Sequence, residues 1–257
     1  MSRLFEVYTY RQMLLSMIRT DLRTRYKGSF LGFLWTFVNP LLQLLVYTLI
    51  FTQILKTQIP KYPVYLFVGL LSWTLFQTAV QTGTGIVNRQ ANLVKKIYFP
   101  REILPLAIVG GAAVNYILSL LVLVPFILLE HVPLSWPLVY LPVILLAQVF
   151  VSLGFAFVFS ALNVFFRDLE HIIGIFMMLW FYCTPIVYKL SAIPPKDQIW
   201  LEWNPMTPIT VAYQRIFYQS ASPSVTNLLL VLLEGVLMTV VGWAVYYRLS
   251  RRFAEEI

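Results

Sequence analysis

The sequence predicts an all-α integral membrane protein with six transmembrane helices, and three observations carry that expectation. Charged side chains vanish for long stretches: between Lys27 and Lys56, Lys61 and Arg89, Glu102 and Glu130, and His131 and Arg167. Each stretch exceeds the roughly 20 apolar residues that span a hydrocarbon core about 30 Å thick. Composition agrees, since 59% of residues are hydrophobic and 12% charged, with a mean hydropathy of +0.76. Soluble domains are about half apolar and a quarter charged. Finally, the charges that exist are gathered in short blocks between the runs, and the blocks differ in their excess of cations.

Residues 3–26 open the chain with Leu4, Val7, Tyr8, Leu14, Leu15, Ile18 and Leu22 at spacings of three and four, while Gln12, Ser16, Arg19 and Arg23 fall elsewhere. That periodicity predicts an amphipathic helix in the interface plane, its cations near anionic headgroups. Residues 1–27 are too charged for the apolar core of a secretory signal, so the first span is expected to act as the insertion signal. Spans are placed at 31–55, 64–87, 103–129, 138–165, 172–188 and 225–247. The fifth, with 17 residues, sits at the lower length limit. An even count puts both termini on one side. That side collects 14 of the 19 basic residues, and basic residues of short loops face the cytoplasm. The net charge of +8 is thereby an orientation signal and not a nucleic-acid surface, which needs an exposed basic stripe.

Between spans two and three lies a segment from Asn88 to Glu102 in which Leu93, Ile97 and Val94 can share one face of a short helix, with Arg89, Lys95 and Lys96 on others. Pro100 stops it. A helix this short is marginal alone, so a docked protein surface is one reading and a solvated topology-setting loop the other. Residues 166–171 form a tighter connection in which Asp168 and Glu170 complement a helix start. Residues 189–224 mix apolar residues with prolines and carry Trp200, Trp203, Tyr213 and Tyr218, which are interfacial types. Two short helices dipping into the outer leaflet and returning satisfy that pattern, because irregular backbone at depth must line a cavity or be buried in protein. An outer gate and an aromatic interfacial skirt both remain open.

Several chemistries lack their residues. The sequence has no phosphate-binding loop, no HExxH and no GxSxG. Its histidines, His131 and His171, are expected on opposite faces, and Cys183 is alone. No metal site and no catalytic residue is expected. Glu234 is the one acid well inside a span, about 10 Å from its outer end at 1.5 Å per residue. It is either buried with a partner at helix contacts or lines a pathway.

Taken together, Arg25-Tyr-Lys-Gly-Ser-Phe-Leu-Gly-Phe-Leu-Trp35, Asn39-Pro40, Tyr98-Phe-Pro-Arg-Glu102, Phe166-Arg-Asp168 and Asn204-Pro-Met-Thr-Pro208 with Tyr213 and Arg215 resemble the ABC-2 type permease subunits of bacterial polysaccharide exporters. These move O-antigen, capsule or teichoic-acid chains. The resemblance spans essentially the whole chain as one transmembrane domain. It implies a homodimer in the inner membrane, two copies of a cytoplasmic ATPase that hold the ATP and Mg, and a lipid-linked polysaccharide substrate. Residues 89–101 would be the coupling helix, through Arg89, Leu93, Lys95, Lys96, Ile97, Tyr98 and Arg101. Residues 1–27 would be the interface helix, through Arg19, Arg23 and Arg25. Residues 189–224 would form the gate, through Trp200, Trp203, Asn204, Tyr213 and Arg215. Phe33, Trp35, Phe37, Phe67, Trp73, Phe76, Phe155, Phe157, Phe159 and Glu234 are the channel candidates, because aromatic faces suit the C–H faces of sugar rings. The alternatives are an exporter of teichoic acid, lipid or drug on the same architecture, and a membrane-embedded glycosyltransferase, against which the scarcity of acids and histidines counts.

Overall fold

A computed structural model describes residues 3–24, 28–54, 56–133 and 135–256. The described residues form helices joined by short connections: α1 (Arg3–Thr9), α2 (Arg11–Thr24), α3 (Trp35–Thr48), α4 (Tyr62–Thr84), α5 (Ile86–Arg89), α6 (Ala91–Lys96), α7 (Ile103–Leu129), α8 (Leu141–Phe165), α9 (Leu169–Tyr182), α10 (Pro195–Glu202), α11 (Met206–Phe217), α12 (Val225–Ser250) and α13 (Phe253–Glu256). Five are long and apolar enough to cross a bilayer: α3 continued by a π-helical turn to Ile54, α4, α7, α8 with the short turn that precedes it from Trp136, and α12.

Helix α4 is the centre of the bundle. Pro63 at its second position sets the backbone for a helical start, and nearly every side from Tyr62 to Phe76 is buried. A helix apolar all round belongs inside, and α7, α8, α9 and α11 surround this one. The most extensive pairing is between α8 and α12. Gly154, Gly235 and Gly242 explain it: a Cβ on Gly154 would stand 2.7 Å from the backbone of Met238, and one on Gly235 would stand 2.9 Å from the carbonyl of Ala147. Lipid offers no hydrophobic drive for two apolar helices to associate, so close backbone approach through small residues supplies the dispersion contact instead.

The fifth expected span differs from its prediction. Helix α9 has 14 residues and is about 21 Å long at 1.5 Å per residue, short of a full crossing. Thr184-Pro185 ends it, because proline cannot supply the next helical N–H. The chain continues irregularly, wired to the start of α4 by two phenols: Tyr62 donates to the carbonyl of Val187 at 3.1 Å and Tyr65 to that of Tyr188 at 2.6 Å. Its other end is held near the close of α4 by the Arg89–Glu170 ion pair. Residues 169–188 therefore run antiparallel to α4 along its whole length.

The N-terminal helix is broken at Tyr10 into α1 and α2. Along α2, Met13, Leu14, Met17 and Ile18 turn toward the bundle while Arg19 and Arg23 are exposed. The expected amphipathic division holds over α2, except that Leu15 and, in α1, Tyr8 point outward. Gly110 and Gly111 of α7 leave room for Ile18 and Asp21. Arg25 lies outside the described residues.

Candidate functional site

The end of the molecule where α1 meets the close of α12 is tied together around residues 86–102. Tyr98 donates to the Glu6 carboxylate at 3.3 Å, and Tyr10 to the Tyr98 carbonyl at 3.4 Å. Arg101 donates to the Ser250 carbonyl and Tyr246 to the Arg101 carbonyl at 2.8 Å. Arg89 reaches the Thr82 carbonyl and pairs with Glu170 at 2.6 Å. Beside it, Asn88 donates to the Asn163 carbonyl at 3.0 Å, and the Glu170 backbone N–H donates to the Asn163 side chain at 3.1 Å. Helix α6 is shorter than the expected docking helix. Val94 faces inward, Leu93 is half-buried, and Ile97 has already left the helix in an extended conformation. Ile97 and Tyr98 are nonetheless exposed, beside Lys95 and Lys96, on the rim of a cleft of about 450 Å³ that Arg101 also borders.

A second concavity, about 330 Å³, lies between α3, α4 and α9 and is lined by Gln43, Tyr47, Trp73, Thr74, Gln77 and Tyr182 among others. Two of its lining residues begin a ladder along α4: the Trp73 indole N–H donates to the Gln77 amide at 3.1 Å, and Gln77 donates onward to Gln81, beyond the groove, at 3.4 Å. Amides and aromatic rings without a charge suit hydroxyl-rich, neutral ligands. Of the channel candidates, Trp73 borders this groove. Phe76 is fully buried behind it, with Phe155 and Trp180 edge-on at 5.7 and 5.0 Å. Phe159 stacks obliquely on Phe155. Phe67 and Phe157 are core residues. Trp35 donates to the Ser29 hydroxyl at 2.7 Å, and Phe37 packs on the core. The Phe33 side chain is outside what the structure describes. Gln43, Tyr47, Gln77 and Trp180 were missed by sequence reasoning, which followed charges and phenylalanines. An amide pattern at Gln77 and Gln81, one turn apart, was the available signal.

Between α9 and α12, the turn that joins α10 to α11 packs against the end of α9. Asn204, 9% exposed, holds that turn through all its hydrogen-bonding capacity. Its side-chain oxygen accepts from the Trp180 indole at 2.8 Å and the Met206 N–H at 2.9 Å, while its amide donates to the Cys183 carbonyl at 3.0 Å and the Thr184 hydroxyl at 2.9 Å. One residue thus caps the frayed end of α9 and the first turn of α11. From there α11 climbs along α4: Thr210 meets Ser72 at 3.3 Å, Gln214 donates to the Pro185 carbonyl at 2.9 Å, and Tyr218 donates to the Pro60 carbonyl at 2.8 Å. Burial pushes the Tyr218 phenol further up from its already alkaline ordinary value. Tyr213 is buried against Tyr116 with ring centroids 5.4 Å apart. Trp200 and Trp203 are exposed, the latter at 82%. Arg215 borders a small crevice with Asn227, and Glu234 lines a neighbouring groove of about 350 Å³ with Thr207, Pro208 and Asn227. Among the described residues, no group of three or more His, Cys, Asp or Glu is arranged to hold a metal.

The described residues thus form a bundle of membrane-length apolar helices with an uncharged groove on its side and a basic-rimmed cleft at one end. Residues 12–218 match the ABC-2 type transporter family, to which the chain belongs. The chain is similar along its whole length to the O-antigen export system permease protein RfbA of Myxococcus xanthus, with 38% identity over 255 residues covering 98% of each. The protein of the same name from Klebsiella pneumoniae is 34% identical over 244 residues, 95% of this chain and 94% of that one. The polysialic acid transport protein KpsM of Escherichia coli is 23% identical over 200 residues, 72% of this chain and 73% of its own.

Proposed function

We propose that this chain is the transmembrane subunit of an ATP-driven exporter of O-antigen polysaccharide, carried on a lipid, across the bacterial inner membrane. The near-full-length similarity to permeases named for O-antigen export carries this reading. The protein works as a homodimer with two copies of a cytoplasmic ATPase, which bind the ATP and Mg that this chain has no loop to hold. Residues 169–188 complete a sixth crossing, α9 supplying its helical part, so that both termini are cytoplasmic and the basic rim of residues 89–101 faces the ATPase. Ile97 and Tyr98 offer an apolar contact there, and Lys95, Lys96 and Arg101 offer cations. Helix α2 lies along the inner interface with Arg19 and Arg23 toward anionic lipid headgroups. The α10–α11 hairpin is the outer gate.

Helices α3 and α9 flank the groove with exposed apolar faces, including Leu42, Leu45, Ile175 and Met178. A second copy placed across those faces would turn two open grooves into one enclosed passage. The Trp73–Gln77–Gln81 ladder then serves sugar hydroxyls by hydrogen bonding and ring C–H faces by stacking, without a fixed charge that would hold a long chain at one point. The distant match to a polysialic acid transport protein supports an acidic polysaccharide of the polysialic acid kind as the second reading. The test is export from vesicles containing the permease and its co-purified ATPase. ATP-dependent movement of a lipid-linked O-polysaccharide is expected, and stimulation of the ATPase by a drug or free lipid alone would overturn the substrate assignment.

A further inference from the structure

Helix α9 is fastened in an unusual manner. Along its length Ile173, Met177 and Phe181 are buried and Trp180 packs edge-on against Phe76 of α4, while Ile172, Ile175, Phe176, Met178, Leu179 and Tyr182 are exposed. An apolar stripe holds position weakly along the helix axis, since dispersion and burial are non-directional. The contacts with direction lie at the two ends. In its first turn, Glu170 takes the Arg89 guanidinium at 2.6 Å and its backbone N–H is held by Asn163. In its last turn, Trp180 donates to Asn204 at 2.8 Å, the residue that fixes the turn of the α10–α11 hairpin. Ten residues separate Glu170 from Trp180, about 15 Å of helix. A rigid helix held by directional bonds at both ends is placed to carry a displacement from one end to the other.

We propose that α9 is the connecting rod between the ATPase-docking segment and the outer hairpin, with Glu170 and Trp180 as positioning residues at its two joints. The proposal rests on the docking of an ATPase at residues 89–101, proposed above. Displacement of α5 and α6 pulls Arg89, Arg89 carries Glu170, and α9 carries Trp180 and with it Asn204. Coupling through a physical network needs more than spatial continuity, namely a measured dependence of one end on the other.

The experiment uses the permease–ATPase complex in lipid nanodiscs, with Cys183→Ser and spin labels at Trp203→Cys and Val225→Cys, both exposed positions at the hairpin end. ATP binding is expected to change the label distance in the parent. Glu170→Gln, which loses the ion pair without changing shape, is expected to abolish that change and to lower export by at least about fivefold, the lower range of site–site coupling. ATPase association and basal hydrolysis should stay within about twofold of the parent. Asn204→Ala, which releases the hairpin turn from Trp180, Cys183 and Thr184 together, should do the same, and the double variant with Glu170→Gln should be no worse than the more impaired single one, because the joints act in series. A full distance change in Glu170→Gln, or a further additive loss in the double variant, overturns the rod. Failure of the docking reading shows separately, as ATP-driven export that stays at the parent's level in Ile97→Asp.

Discussion

Replacing Asn204 with Ala removes the most connected polar side chain in the hairpin. Four hydrogen bonds go with it. The Thr184 hydroxyl keeps a partner, since it also donates to the Trp180 carbonyl at 3.0 Å. The Trp180 indole and the Cys183 carbonyl lose these bonds in a half-buried site and the Met206 N–H in a buried one. At about 1 kcal/mol for each net hydrogen bond, the variant is destabilised locally by about 3 kcal/mol, which corresponds to roughly a hundredfold in the opening equilibrium. Trp180→Phe deletes one of these bonds and should give about fivefold by the same conversion. Hydrogen exchange of the purified protein followed by mass spectrometry reads both. Amides from 183 to 206 should exchange about a hundredfold faster in Asn204→Ala, while those of α8 and α12 stay at parental rates, since local opening need not involve the whole bundle. Equal exchange in parent and Asn204→Ala, or an equal effect of the two variants, would refute the reasoning that Asn204 alone locks the turn.

Gly154→Ala places a methyl against the Met238 backbone, which cannot yield; overpacking of this kind costs about 1–3 kcal/mol, visible as a lower melting temperature in detergent. Trp73→Ala in the lateral groove should lower polysaccharide export while leaving ATPase association intact, measured by vesicle transport and co-purification. Leu93→Asp and Ile97→Asp should both insert normally and lose coupling of ATP hydrolysis to export, with the Ile97 variant the more severe because Leu93 already packs on the core.

Much of the bundle was legible in the charge-free runs. The span expected at 103–129 coincides with α7, and those expected at 64–87 and 225–247 lie within a few residues of α4 and α12. Length and the absence of charge alone decide such helices. The fifth passage was harder, because hydropathy does not distinguish helix from the irregular apolar backbone around Pro185, whose partners Tyr62, Tyr65 and Gln214 are distant in sequence. Asn204 was singled out by its place in an Asn-Pro motif, but its bonds to Trp180 and Cys183 are tertiary. Glu170 was read as a helix-start acid, and its pairing with Arg89 across 81 residues had no sequence signal. The docking helix was expected to present Leu93 and Ile97 together. It ends at Lys96, and burial of Val94 and Phe99 turns Leu93 partly inward. In the groove, neutral amides at Gln43 and Gln77 were hidden inside runs defined by what they lack.

The most direct test of the function is reconstitution of the permease with the ATPase that co-purifies from its native membrane, in vesicles loaded with lipid-linked O-polysaccharide on one face. The expected result is ATP-dependent appearance of polysaccharide on the opposite face, lost in Ile97→Asp. An ATPase that turns over without moving polysaccharide, or transport that proceeds without any bound ATPase, would contradict it.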